Sequence, residues 1–245
     1  MSELNLDRLY NPDGKELGVL VSGLSGSGKT TAIISSLQKA IKSSDFGEMH
    51  KFLIIDPKHQ GGDYDVLSNP IFDMDKMKKS IRKERVSLFY PRIETLEQDV
   101  EEVIKYIFDL STSTAESSFT FVLDEASALI QSHKIPDQLK RLAVQGRAKR
   151  IKPVFISQRP IMNRWTDANL STALFFRILP VDSDVLEKRW NLDAEEMSKQ
   201  LEQKEYSFLF LDMETGKLNL QEPLPLPKPK PKQKKKNVFT RFFGD

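Results

Sequence analysis

Eight residues, Gly23-Leu24-Ser25-Gly26-Ser27-Gly28-Lys29-Thr30, restrict this chain more than any other stretch. They fill every fixed position of the pattern G-x-x-x-x-G-K-[ST]. An apolar run at 17–22 precedes them. Residues 30–42 follow, with Ile33, Ile34, Leu37 and Ile41 at helical spacing. Strand, glycine-rich turn and helix in that order make a phosphate cradle. Glycines let the backbone wrap so that successive N–H groups point inward, and the start of the helix adds the positive end of its dipole. The candidate phosphate-binding residues are therefore Gly23, Leu24, Ser25, Gly26, Ser27, Gly28, Lys29, Thr30 and Thr31. Lys29 is expected to reach the β and γ phosphates, and the Thr30 hydroxyl to hold Mg²⁺.

The rest of the body alternates strand-like and helix-like stretches. Strands are expected at 52–55, 86–90, 119–123, 154–157, 173–179 and 206–211. Helices are expected at 94–110, 136–145 and, with interruption, 181–201. The clearest helix puts Leu96, Val100, Val103, Ile107 and Leu110 on one face. Apolar strands alternating with helices imply an α/β fold with a mainly parallel sheet and helices on both faces.

The motif alone says nucleotide phosphate; two other strand ends narrow the chemistry. Phe119-Thr120-Phe121-Val122-Leu123 runs straight into Asp124-Glu125. In such a pair the aspartate is expected to bind Mg²⁺, with Thr30, and the glutamate to polarise an attacking water as general base. A hydrolase that uses water as nucleophile needs that second carboxylate. Val154-Phe155-Ile156-Ser157 ends in Gln158-Arg159-Pro160. Ligands of parallel sheets sit at the carboxyl ends of the strands, so Gln158 is expected beside Asp124 and Glu125, reading the γ-phosphate or the lytic water.

This set of motifs, with the basic run Gly146-Arg147-Ala148-Lys149-Arg150 before the strand that ends in Ser157-Gln158-Arg159-Pro160, resembles the FtsK–HerA superfamily of ring ATPases. Ile54-Ile55-Asp56-Pro57-Lys58 is similar to that family's D-P-[KH] step. The resemblance covers about residues 15–180. It implies a RecA-like P-loop domain in a homo-oligomeric ring, a hexamer by family pattern, that hydrolyses ATP with Mg²⁺ and acts on double-stranded DNA. It also implies an arginine contributed in trans to the neighbouring site, carried over onto Arg147, with Arg150 and Arg159 as competitors. Within the family the chain looks most like the genome-packaging ATPases of tailless, membrane-containing icosahedral viruses. It lacks the membrane helices, winged-helix domain or N-terminal barrel of other branches. Relatives that unwind DNA or pump it in conjugation are the alternative, as is a nucleotide-switched assembly factor. The absence of an N-K-x-D motif argues against guanine, and residues 112–118 lack the L-S-G-G-Q-type segment of ABC transporters.

Two domains of unequal kind are expected among the 245 residues: an ATPase body at 1–222 and a flexible tail at 223–245. The body carries an excess of four acids. The tail carries seven basic residues and one acid, alternates proline from Pro223 to Pro231, and holds Phe239, Phe242 and Phe243. Alternating proline disfavours helix and sheet, which suggests a stiff solvated spacer. Three readings of the tail stay open: a solvated end, an arm for DNA or membrane surface, and a docking peptide for capsid or vertex proteins. Residues 59–63 are expected to form a loop that is either a plain connector or a DNA contact. With no cysteine, thiol catalysis and Cys-ligated zinc are excluded. No signal peptide or transmembrane run is evident, which gives an expectation of a soluble protein of the host cytoplasm or virion. His50, His59 and His133 do not cluster and are expected to be surface or loop residues. Trp165 and Trp190 are expected to be packing residues.

Overall fold

The computed structural model describes residues 5–12, 17–58, 62–113, 117–160 and 163–229. In chain order the elements are α1 (Leu6–Tyr10), β1 (Gly18–Ser22), α2 (Lys29–Lys42), β2 (His50–Ile55), β3 (Pro70–Ile71), α3 (Met74–Lys83), β4 (Val86–Phe89), α4 (Leu96–Ser113), β5 (Ser118–Leu123), α5 (Asp137–Gln145), β6 (Ile151–Ser157), α6 (Arg164–Asp167), β7 (Leu170–Phe175), α7 (Ser183–Trp190), α8 (Ala194–Glu202), β8 (Phe208–Asp212) and β9 (Lys217–Gln221). The strands form one sheet in the order β3-β4-β2-β5-β6-β1-β7-β8-β9. Strands β1 to β7 are mutually parallel, and β8 and β9 add an antiparallel edge.

Every residue of β1, β5, β6 and β7 is buried. These strands have helices on both faces, so they read as continuous apolar runs rather than alternating ones. One face of the sheet packs against α4, whose Val100, Val103, Ile104, Ile107 and Phe108 are all buried. Each such side chain contributes about 1.5–3 kcal/mol over exposure. The opposite face packs against α1 and α2 through Leu9, Tyr10, Ile33, Ile34 and Leu37. The free edge, β9, presents Lys217, Asn219 and Gln221 and is largely exposed. A polar edge of this kind resists pairing with another chain.

Several expected boundaries shift for identifiable reasons. Strand β6 begins at Ile151 rather than 154, with Pro153 inside it. Its pairing with β1 starts only at Val154, one residue past the proline. Strand β7 ends at Phe175, because the chain then turns toward the phosphate loop. Helix α3 carries only Met77 and Ile81 as buried residues among seven charged or polar positions, so its apolar stripe is too thin to signal a helix.

The expectation for His50 is overturned. It lies buried in β2, with Nδ1 2.8 Å from Ser118 Oγ and Nε2 2.9 Å from Thr120 Oγ1. Thr120 gives its own proton to the Tyr10 carbonyl at 2.7 Å, so His50 Nε2 is the donor to Thr120. This relay fastens α1 to the sheet. His133 is exposed, and His59 lies outside the described residues. Trp190 stacks edge-on against Phe175, whereas Trp165 is over a third exposed beneath the Lys140 ammonium at 4.2 Å.

Helix α5 reaches the turn before β6 at Gly146, where a Cβ would stand 2.5 Å from the Leu142 carbonyl oxygen and 2.8 Å from that of Ile151. Both obstacles are backbone and cannot swing aside. Gly146→Ala is therefore expected to lower stability by about 1–3 kcal/mol, measured as a shift in thermal midpoint by circular dichroism. An unchanged midpoint would show that the α5–β6 corner relaxes without cost.

Candidate nucleotide site

The carboxyl ends of adjacent strands build one cavity. Strand β1 delivers the phosphate loop, β6 delivers Gln158, β5 delivers Asp124 and Glu125, and β2 delivers Asp56 and Lys58. The cavity holds about 850 Å³ and is lined by Gly28, Lys29, Thr30 and Thr31 of the loop together with those five residues. Four strands separated in sequence thus place their carboxyl ends within reach of one ligand, as the parallel arrangement requires.

The loop is seated on the sheet by its first glycine. Gly23 has φ of 150°, and a Cβ there would stand 2.6 Å from Phe176 Cβ. The next peptide is tied down by Leu24 N–H donating to the Arg177 carbonyl at 2.9 Å. Helix α2 then begins at Lys29 with no side-chain cap at its N-terminus, leaving its first N–H groups facing the cavity. Lys29 is buried and donates Nζ to the Gly23 and Leu24 carbonyls at 2.5 and 2.7 Å. Burial pulls its ammonium below the usual lysine range, and the carboxylates of Asp124 and Glu125 oppose that pull.

Asp124 is 6% exposed. Burial pushes its carboxyl upward, against hydrogen bonds from the Tyr64 hydroxyl at 2.8 Å and the Glu125 N–H at 2.8 Å. Tyr64 sits in a 3-10 turn, Asp63–Val66, that follows the D-P-K step. No spacing in the sequence points to it. Its burial within an otherwise polar stretch becomes legible only once β2 and β5 are paired.

Glu125 stands in the left-handed region with φ of 48°. A non-glycine residue there costs on the order of 1–3 kcal/mol and persists where its surroundings fix it. Two groups fix it here. Lys58 Nζ forms an ion pair with Oε1, and Gln158 Nε2 lies 3.3 and 3.2 Å from the two carboxylate oxygens. The D-P-K step was singled out only by resemblance. The structure puts its lysine on the glutamate, and puts the Gln158 amide on that same carboxylate.

The three arginines separate. Arg147 is exposed, in a 3-10 turn before β6. Seven strand residues at ~3.3 Å each put it roughly 20 Å from the end of β6 that carries Gln158. Within one chain it does not reach the cavity. Arg159 is engaged in cis, its Nε and Nη2 2.8 and 2.5 Å from Oδ1 of the buried Asp182. Arg150 adopts a left-handed conformation with φ of 55°.

Thr30 and Asp124 bring a hydroxyl and a carboxylate to one wall, with Asp56 beside them. Oxygen donors and a single committed carboxylate suit Mg²⁺, which takes few protein ligands and completes its shell with phosphate and water. Among the described residues no cluster of three or more His, Asp or Glu could bind a metal by protein alone. No helix of the described residues is long and apolar enough to cross a membrane.

No family model matches the chain, and no curated protein does. Solved structures do. The genome packaging NTPase B204 from Sulfolobus turreted icosahedral virus 2, in complex with ATP-γS, aligns with a TM-score of 0.64 at 16% identity, covering 88% of this chain and 100% of that one. The same protein in complex with AMPPCP gives 0.66. Two further proteins also align: EssC (ATPases 2 and 3) from Geobacillus thermodenitrificans, TM-score 0.53, 14% identity, 86% of this chain and 40% of that one; and the cytoplasmic domain of the Thermomonospora curvata type VII secretion ATPase EccC, TM-score 0.55, 17% identity, 84% and 25%. At these identities the likeness establishes the fold alone: a mainly parallel α/β sheet with helices on both faces, RecA-like, the fold class expected from the sequence.

Tyr64→Phe removes one of the two donors to a buried carboxylate. Stability is expected to fall by about 1.5–3 kcal/mol in urea denaturation, and the Mg²⁺ concentration for half-maximal turnover to rise. A variant indistinguishable from the parent in both would separate Tyr64 from the site.

Proposed function

We propose that this chain is an ATPase that translocates double-stranded DNA, packaging a viral genome into a preformed capsid. The observation that carries it is the joining, in one cavity, of the phosphate loop with the adjacent carboxylates of Asp124 and Glu125, on a fold that aligns over the whole length of a viral genome packaging NTPase. That combination suits hydrolysis, because a carboxylate beside the phosphate loop can take the proton of an attacking water.

The residues divide the work as follows. The loop from Gly23 to Thr31 receives the triphosphate through its N–H groups, and Lys29 exchanges its loop carbonyls for phosphate oxygens. Thr30 and Asp124 would hold Mg²⁺, which, when bound, neutralises charge that develops on the β and γ oxygens. Glu125 takes a proton from the attacking water. Gln158 and Lys58 keep the carboxylate aimed until the γ-phosphate enters, and Gln158 reports its presence. Arg147, exposed and remote from its own cavity, would act in a neighbour's, where an arginine is worth roughly 10³–10⁵ in rate. This requires a homo-oligomeric ring, hexameric by family pattern. Lys149 and Arg150 beside it are candidates for duplex phosphates, whose contacts are electrostatic and indifferent to sequence. The ATPase body would span 1–222 together with the part of the tail that lies on it, through Lys228 held by Gln38, and the rest of the tail would serve capsid or vertex proteins. The protein would work in the host cytoplasm and enter the virion.

Steady-state hydrolysis with and without duplex DNA tests this reading, with Lys29→Ala as the inactive blank. Stimulation of several-fold or more by duplex of any sequence, weakening as salt rises, is expected. Hydrolysis that is unaffected by DNA would contradict translocation and favour a nucleotide-switched assembly factor.

A further inference from the structure

The cavity lining is of two kinds. One is polar: Lys29, Asp56, Lys58, Asp124 and Glu125. The other is Tyr206 with Pro223, Leu224, Pro225 and Leu226, of which Leu224 is partly buried against the core and Leu226 is 81% exposed. Those last four residues open the proline-rich segment that the sequence suggests is a solvated spacer. Residues 222–229 form neither helix nor strand, but they are not free. Gln38 of α2 pairs with the backbone of Lys228 from both ends of its amide: Nε2 donates to the carbonyl at 2.7 Å, and Oε1 accepts from the N–H at 2.9 Å. Leu224 packs against the α1–α2 side of the core. Glu222 forms an ion pair with Lys204, and the Lys204 carbonyl accepts from Ser207 Oγ at 2.7 Å, so the strap and the turn that carries Tyr206 are braced together.

Tyr206 has the marks of a residue held for a ligand. Its backbone is left-handed with φ of 61°, and 53% of it is exposed. The ring edge lies 3.1 Å from where a Cβ on Gly28 would be, so it lies directly against the phosphate loop. A half-exposed aromatic in a strained conformation is hard to explain by packing alone.

We propose that Tyr206 and the strap Pro223–Leu226 form the wall that holds the base and ribose of the bound nucleotide. The inference rests on the nucleotide reading of the phosphate loop and adds a part of the chain that no motif assigned. A nucleoside triphosphate needs an anionic end held by N–H groups and a flat apolar end removed from water. A cavity of about 850 Å³ with both kinds of wall is within the ~300–1,000 Å³ of small-ligand sites. Proline and leucine side chains give a rigid apolar surface at small entropic cost, and the Tyr206 ring adds a stacking face.

The test uses the full chain and two ligands with Mg²⁺, ATP and inorganic tripolyphosphate, titrated by calorimetry. One variant is Tyr206→Asn, which removes the ring but tolerates the left-handed backbone. The other replaces the strap side chains by P223S, L224S, P225S and L226S. Both are expected to weaken ATP about 10–100-fold while tripolyphosphate binds within about twofold of the parent, the latter also showing that the loop remains folded. ATP binding unchanged in both variants would overturn the proposal and put the base elsewhere. Equal weakening of both ligands would overturn it too, by making the strap a support of the phosphate loop. A parent protein that binds neither ligand would instead refute the nucleotide reading itself.

Discussion

The seating of the phosphate loop on the sheet is the constraint on which the rest depends. Gly23 lets the backbone leave β1 with no side chain between it and Phe176, and the Leu24 N–H bond to Arg177 fixes the next peptide. This places the N-terminus of α2 at one strand end and Lys29 beneath it. Because β6 and β5 lie next in the sheet, their ends meet the loop without any further device. The helices on the two faces serve mainly to keep those strand ends in register.

Around that point the molecule assembles strain and charge that a purely structural corner would not need. Asp124 is buried with two hydrogen-bond donors, Glu125 is held left-handed between a lysine and a glutamine, and Lys29 is buried against backbone carbonyls. Each group is satisfied by a partner that a ligand can replace. The Lys29 ammonium can exchange carbonyl oxygens for phosphate oxygens, and Gln158 can exchange a carboxylate for a γ-phosphate or water. Such arrangements are preorganised for a charged ligand and its reaction.

Much of this was legible in the sequence, for physical reasons. The loop, the strand running into Asp124-Glu125 and the strand ending at Gln158 are local signals, each complete within a dozen residues, and the parallel sheet follows from apolar runs alternating with helices. What was not legible depends on contacts between distant segments. Tyr64 meets Asp124 across 60 residues, and Gln38 meets Lys228 across 190. His50 looked like a surface histidine because the partners that satisfy it, Ser118 and Thr120, arrive only when β2 pairs with β5. The prolines at 223–229 lie in a stretch with neither helix nor strand, as their chemistry requires, but composition does not reveal that such a stretch has a surface to lie on.

The proposed chemistry turns on Glu125 as the group that activates water in this cavity. Single-turnover hydrolysis by Glu125→Gln, measured beside ATP affinity, separates that role from a structural one. Affinity is expected within a few-fold of the parent, with a hydrolysis rate reduced by roughly 10²–10⁴, the range of a lost general base. Hydrolysis at a near-parental rate with ATP still bound would contradict it, and would leave the carboxylate a structural partner of Lys58 and Gln158.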